Sequence, residues 1–259
     1  MNRVRYACKY ILHFVSARHT RGFGVHSPFL FQLTRNIIYD ESSYYIFPEI
    51  ERIRKKLLSN HNKLNIIDFG TGKDRPTTVR AVASKSLKSA KYGQLLFKIT
   101  NFIKAQSILE LGTSFGLTTS YLAASCNKIK CITLEGSPES VEIAKQNFKK
   151  LGIENIQLIM GNIDVTLSDA IGHFETLDLI FIDANHRMPA AYSYFELCLN
   201  KIHENSIVII DDIYWSSEME IAWKMIKNHP QVTSTIDLFQ LGMVFFRTDL
   251  HKKHYKMWF

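Results

Sequence analysis

The chain has 259 residues, of which 46% are apolar and 22% charged, with 12 glycines and 6 prolines, a composition that excludes disordered, collagenous and repeat classes. The length suits one large domain or two small ones and buries roughly three quarters of the unfolded chain's surface, so no covalent staples are needed. The net charge of +8 is uneven: residues 1–39 carry six basic side chains and no acid, 73–104 carry eight against one, and 105–259 are net −5.

The N-terminal 60 residues read as helical. Arg3 and Arg5 precede an apolar stretch, but Lys9 and His13 interrupt it, which argues against a cleaved signal. Val4, Cys8, Ile11 and Val15 would share one face of an amphipathic helix. Packing on the protein's own core is the plainer expectation for that face, and a membrane surface is the other. Ser27-Pro28 marks a helix start, with serine as the cap and proline where its missing N–H costs nothing. A second helix opens at Pro48, with Glu49 and Glu51 in its first turn and Lys55 and Lys56 later, a polarity that suits the helix dipole. Asn65–Gly72 (NIIDFGTG) looks like a ligand-binding glycine turn. No second strand ending in an acid follows it, so a tight turn between a helical cap and the core is expected. Residues 77–104 read as mostly helical. Residues 1–87 are expected to form a basic helical cap and residues 88–259 the main domain, with a basic tail.

From residue 107 short β-branched runs alternate with amphipathic helices. The runs are Ser107–Leu111, Lys130–Glu135, Ile156–Met160, Leu177–Ile182 and Ser206–Ile210. Crossovers of this length imply a parallel sheet covered on both faces. Val232–Leu238 and Met243–Phe246 are separated by a short connection and should be antiparallel. The expected fold is therefore α/β, Rossmann-like and doubly wound, with seven strands of which the last is antiparallel. No apolar run is long enough to cross a membrane. Four cysteines without metal-like spacing fit a reducing compartment, hence a cytoplasmic location. His13, His19, His26, His251 and His254 lack metal-like spacing and read as solvated.

In such sheets ligands bind beyond the carboxyl ends of the strands. The first parallel strand runs into Gly112-Thr113-Ser114-Phe115-Gly116, spaced G-x-x-x-G, unlike the G-x-G-x-x-G of dinucleotide enzymes. The next strand ends in Glu135, followed by Gly136; its carboxylate could accept two hydrogen bonds from a ribose diol. The loop after the third strand carries Asn162 and Ile163, a polar and an apolar group suited to an adenine edge.

These segments resemble the class I S-adenosylmethionine-dependent methyltransferases. LELGTSFGLTTSYLA is similar to their first motif and ITLEGSPESVEIAKQNF to their second. Within them the chain most resembles the small-molecule O-methyltransferases of the catechol type. Lys91–Leu96 (KYGQLL) is similar to their entry helix, Phe181–His186 (FIDANH) to one strand end, and Ile210–Trp215 (IDDIYW) to the next. The resemblance spans roughly residues 88–247. It implies S-adenosylmethionine held by Glu110, Gly112, Thr113, Ser114, Gly116, Thr118, Glu135, Gly136, Asn162, Ile163 and Asp183. It also implies a divalent cation on Asp183, Asp211 and Asp212, with Mg²⁺ favoured and Ca²⁺ the alternative. Asp212 stands where the family has Asn, which leaves the metal's identity open. Independently of the family, three carboxylates at adjacent strand ends would repel one another without a cation nearby.

Asp183 is also expected to serve the chemistry beside a general base. The position that is Lys in catechol-type relatives is His186, which can take a proton near neutral pH. Lys91, Tyr214 and Trp215 are expected to line a substrate pocket. The function implied is O-methylation of a small-molecule hydroxyl, with an anionic acceptor in keeping with the basic first part. The alternatives are an RNA methyltransferase gripping phosphates through that part, a non-catalytic S-adenosylmethionine-binding protein, and a nicotinamide-dependent oxidoreductase, which the glycine spacing disfavours. Homodimerisation is left open.

Overall fold

The computed structural model describes residues 3–66 and 75–259. The glycine turn Asp68–Gly72 lies outside the described residues. The chain divides into two compact units, residues 41–174 and residues 1–40 with 175–259.

In the unit of residues 41–174, helix α3 (Ile46–Leu58) begins two residues before the proline expected to open it. Ile46, Phe47, Ile50, Ile53 and Leu57 are its buried face, and Glu51 pairs with Arg54 one turn on. An antiparallel hairpin follows, β1 (Lys63–Ile66) with β2 (Arg75–Thr78), and α4 (Val79–Ser86) is capped by the Thr78 hydroxyl. Helix α5 (Ala90–Ile103) leads to β3 (Ser107–Leu111), α6 (Leu117–Ala123), β4 (Lys130–Glu135), α7 (Pro138–Leu151), β5 (Ile156–Met160) and α8 (Ile163–Gly172). Strands β3, β4 and β5 are parallel neighbours in that order. Helix α5 packs on α6 through Gly93, where a Cβ would lie 2.5 Å from the Tyr121 ring. The glycine of the entry-helix motif is thus a packing requirement.

The other unit contains α1 (Arg3–Ser16), α2 (Pro28–Leu33), β6 (Leu177–Ile182), α9 (Met188–Cys198), β7 (Ile202–Asp211), α10 (Ser217–Asn228), β8 (Ser234–Asp237), β9 (Leu241–Phe245) and β10 (Lys253–Lys256). Ser27 caps α2 as expected. Strand β6 is parallel to β7, β7 antiparallel to β9, β9 antiparallel to β8, and β8 parallel to β10. Helix α10 buries Met219, Ala222, Trp223 and Ile226 against its unit.

Besides the hairpin, eight strands form the framework instead of the seven expected. The extra strand is β10, in the stretch expected to be a solvated tail. Tyr255 and Met257 alternate inward there, and His254 bonds the Thr235 hydroxyl through Nδ1 at 3.0 Å. Two histidines read as solvated are also anchored: His13 is buried, and the His19 ring accepts from the Lys256 amide.

Helix α1 departs furthest from expectation. Val4, Ile11 and Val15 are 73%, 61% and 75% exposed, and Cys8 is exposed too. The face expected to enter the core points outward. The buried position is His13, whose Nε2 lies 2.9 Å from Asp237 Oδ1. That bond, the rings of Tyr6 and Tyr10 against Phe239 and the Lys9–Glu220 pair set the helix's rotation, and the apolar stripe is left outside.

Candidate active site

The first group of candidate residues sits where β3 turns into α6. The amides of Gly112 and Thr113 both donate to the Leu134 carbonyl, at 3.0 and 3.1 Å, tying the turn to β4. Gly116 caps α6 with φ +78°, and a Cβ there would lie 2.5 Å from the Phe148 ring of α7. The conformation and the close approach each select glycine. Ser114 also adopts a left-handed conformation, φ +48°, which a non-glycine residue holds only when its surroundings compel it. What holds it is Glu135: the Ser114 amide donates to Oε2 at 2.7 Å, and the Ser137 amide to Oε1 at 2.8 Å.

Burial raises the pKa of Glu135, opposed by the amides of Ser137, Ser114 and Gly136. Both oxygens keep lone pairs for further donors, as a ribose diol would require. Glu110 is different. It is fully buried, and Oε2 accepts from the hydroxyls of Thr119 and Thr133. Thr133 in turn shares a 2.6 Å contact with Thr113. Glu110 therefore braces β3, β4 and α6 from inside, and Thr119 and Thr133 are contributors that spacing did not reveal. Asn162 caps α8 by accepting from the Asp164 amide at 3.0 Å, while Ile163 and Thr118 remain partly exposed. Lys91 is exposed at the start of α5.

The second group lies at the ends of β6 and β7. Ile182 and Ile210 are register partners, so Asp183 and Asp211 continue from neighbouring strands. Asp211 is buried and Asp212 partly so. Asn185 and Asp212 both have left-handed backbones, φ +47° and +51°. The side-chain oxygen of Asn185 is buried without a hydrogen-bond partner. An amide cannot act as a base, but this one holds a buried acceptor with no hydrogen-bond partner in the protein. His186 Nε2 is 3.6 Å from Asp183 Oδ1, and its ring centroid is 6.2 Å from that of Trp215. Among the described residues, no group of three His, Cys, Asp or Glu side chains is arranged to hold a metal ion.

Tyr214 turns inward. Its hydroxyl donates to Asp237 Oδ2, and its ring stacks on Phe239 at 5.3 Å. Burial, then the Asp237 charge, raises the tyrosine's pKa far above its ordinary value. Burial works to raise Asp237, but hydrogen bonds from His13 and Tyr214, the His13 charge and the Phe239 amide outweigh it and lower its pKa. Trp215 is 39% exposed and lines a cavity of about 200 Å³ with Tyr214, Ser216, Arg5, Lys9 and Glu220. Glu220 already pairs with Lys9 and Arg5.

Residues 109–213 match the family model described as a methyltransferase domain. The chain is 28% identical over 127 residues to a catechol O-methyltransferase of Mycobacterium tuberculosis, covering 48% of this chain and 56% of that protein. It is 30% identical over 131 residues to one of Niastella koreensis, covering 48% and 57%. The chain thus spans about half the length of the curated relatives it matches.

Solved structures with the same fold include the Bacillus cereus O-methyltransferase in complex with S-adenosylhomocysteine. Its TM-score is 0.57 at 18% identity, over 81% of this chain and 94% of that one. The O-methyltransferase TomG of Streptomyces achromogenes, in complex with S-adenosylmethionine, has a TM-score of 0.59 at 15% identity, over 80% and 91%. The resemblance to class I S-adenosylmethionine-dependent O-methyltransferases read from the sequence is borne out, and the Rossmann-like fold is theirs.

Proposed function

We propose that the protein is an S-adenosylmethionine-dependent O-methyltransferase acting on a small-molecule hydroxyl. The observation that carries this reading is the turn at Gly112–Gly116. Its backbone is braced on the Glu135 carboxylate, whose remaining lone pairs suit a ribose, in the segment that matches the methyltransferase domain. Gly112, Thr113, Ser114, Gly116, Thr118, Gly136, Asn162 and Ile163 are the remaining contacts proposed there. Bound S-adenosylmethionine would supply a methyl sulfonium.

Transfer to an oxygen requires that the acceptor hydroxyl lose its proton and be aligned in line with the methyl group. His186 takes that proton, and the imidazolium formed is stabilised by the Asp183 carboxylate 3.6 Å away. Trp215, exposed beside His186, offers a flat face to an aromatic acceptor. Tyr214 lines the proposed pocket beside Trp215, as a ring held in place through Asp237.

The finer part of the reading is a divalent cation on Asp183, Asp211 and Asp212, Mg²⁺ before Ca²⁺. Oxygen donors at neighbouring strand ends and the unpartnered Asn185 oxygen favour it. No three-ligand cluster stands ready among the described residues, so the proton transfer above is not routed through a metal. The acceptor, a cytoplasmic location and a dimeric state belong to the same proposal. An RNA acceptor gripped by the basic first 104 residues is the weaker reading, because His13 and Lys9 of that part are already engaged within their own unit.

The experiment is calorimetric titration of the chain with S-adenosylhomocysteine and, separately, NAD. Turnover follows, on a panel of catechols with Mg²⁺, Ca²⁺ or chelator. Saturable binding of the first ligand, methylation of a catechol and loss of activity with chelator are expected. Binding of NAD alone would overturn the function, and full activity in chelator would remove the cation.

A further inference from the structure

Helix α1 presents an apolar stripe to solvent and a polar face to the protein. Val4, Cys8, Ile11, Leu12 and Val15 share the outer face, the first and last 73% and 75% exposed and Leu12 67%. The inner face is clamped. His13 is 3% exposed and bonds Asp237, and Tyr6 and Tyr10 each meet the Phe239 ring edge-on at 5.0 Å. Rotating the helix to bury the stripe would break the His13–Asp237 bond, so the outward stripe is a determined feature of the unit. A run of exposed apolar side chains on one helix face exceeds the scattered exposure ordinary for a soluble surface. Something is expected to cover it.

Charge decides what. Residues 1–39 contain no acidic side chain, and Arg18 and Arg21, which follow α1 in the chain, are exposed, as is Phe23 at 79%. A second copy of α1 would bring only like charges to the contact. An anionic bilayer surface supplies both what the stripe needs and what the arginines need: an acyl boundary below and negative headgroups at the flanks. No helix among the described residues is long and apolar enough to cross a membrane, so the contact would lie in the interface plane. We propose that α1 is an interfacial anchor that docks this protein on anionic membrane surfaces. The same helix lends Arg5 and Lys9 to the cavity lined by Trp215, so docking would set this cavity close to the bilayer.

The test is co-flotation of the full chain with vesicles of phosphatidylcholine, alone or mixed equally with phosphatidylglycerol. Binding to the mixed vesicles should exceed binding to the neutral ones by at least about tenfold and weaken in high salt. The pair Ile11→Asp and Val15→Asp should abolish flotation, and Arg18→Glu with Arg21→Glu should reduce it, while unfolding temperature stays unchanged in both pairs. Both pairs alter only exposed side chains, so folding should survive. If mixed and neutral vesicles bind equally, or neither binds, the proposal fails. It fails equally if light scattering shows a dimer that Ile11→Asp dissolves, since a second copy would then cover the stripe. None of these readouts depends on methyl transfer.

Discussion

The turn after β3 and the ends of β6 and β7 both sit at carboxyl ends of strands, but they are built differently. At the turn, Phe115, Gly116 and Leu117 are buried, Gly116 touches the Phe148 ring, and the Glu135 carboxylate draws in backbone amides from two sides. At the ends of β6 and β7, His186 and Trp215 stand partly open to solvent, and the His186–Asp183 separation of 3.6 Å is longer than a hydrogen bond. A group that grips one unchanging ligand can be built into the core. On the proposed function, a base that has to meet the acceptor must stay accessible. The left-handed backbones are distributed over both regions: Ser114 at the turn is held by Glu135, whereas Asn185 and Asp212 follow the ends of β6 and β7, with the Asn185 side-chain oxygen buried.

The largest expected effect lies in the tightly built turn. Gly116→Ala places a methyl group against Phe148 and imposes a left-handed φ on alanine, costing about 2–5 kcal/mol. Thermal unfolding should shift down by several degrees, and S-adenosylhomocysteine binding should be lost with it. An alanine variant with unchanged stability would show that the turn is looser than its contacts imply. His186→Ala is the matching test of the open region. Turnover should fall at least about 100-fold, as removal of a general base does, with cofactor affinity and unfolding temperature unchanged. A variant that turns over normally would remove His186 from the chemistry.

How far the sequence carries is visible in the same contrast. The boundaries of β3, β4, β5 and β6 were legible because β-branched runs in a two-sided parallel sheet end where the glycines and acids begin. Strand β10 was not, because an edge strand reading Lys-His-Tyr-Lys buries only alternate residues and resembles a solvated tail. The helical period of α1 was legible and its orientation was not. Periodicity reports a stripe, and partners far along the chain, Asp237 224 residues from His13 among them, determine which side faces inward. For the same reason Tyr214 could be placed near the carboxylates, while its bond to Asp237 could not be foreseen.

A smaller effect separates the two roles of Glu135. Glu135→Gln should weaken S-adenosylhomocysteine by about tenfold to a hundredfold, because the amide replaces one acceptor oxygen with a donor facing the Ser114 amide. In the unaltered protein, ligand binding should demand the ionised carboxylate. Burial raises the Glu135 pKa, so affinity should decline as pH falls, beginning above the range of an ordinary exposed carboxylate. Calorimetry across pH checks this, and an affinity flat down to the ordinary range would mean that the carboxylate does not meet the ligand.

The smallest effect tests the inward clamp on Tyr214. Tyr214→Phe keeps the ring on Phe239 but removes one donor to buried Asp237, at a cost of about 1–2 kcal/mol. The folded pKa of Asp237 is depressed, so its charged form stabilises the fold above the unfolded carboxyl pKa, and this contribution is lost as pH falls through the lower folded value. Removing a donor that helps lower it should move acid unfolding to higher pH, while neutral-pH turnover changes little if only the ring serves the acceptor. A large loss of turnover with unchanged acid stability would reverse the assignment. The hydroxyl would then be acting on the acceptor, and the region at the ends of β6 and β7 would be less open, and more closely organised around its substrate, than its solvent exposure suggests.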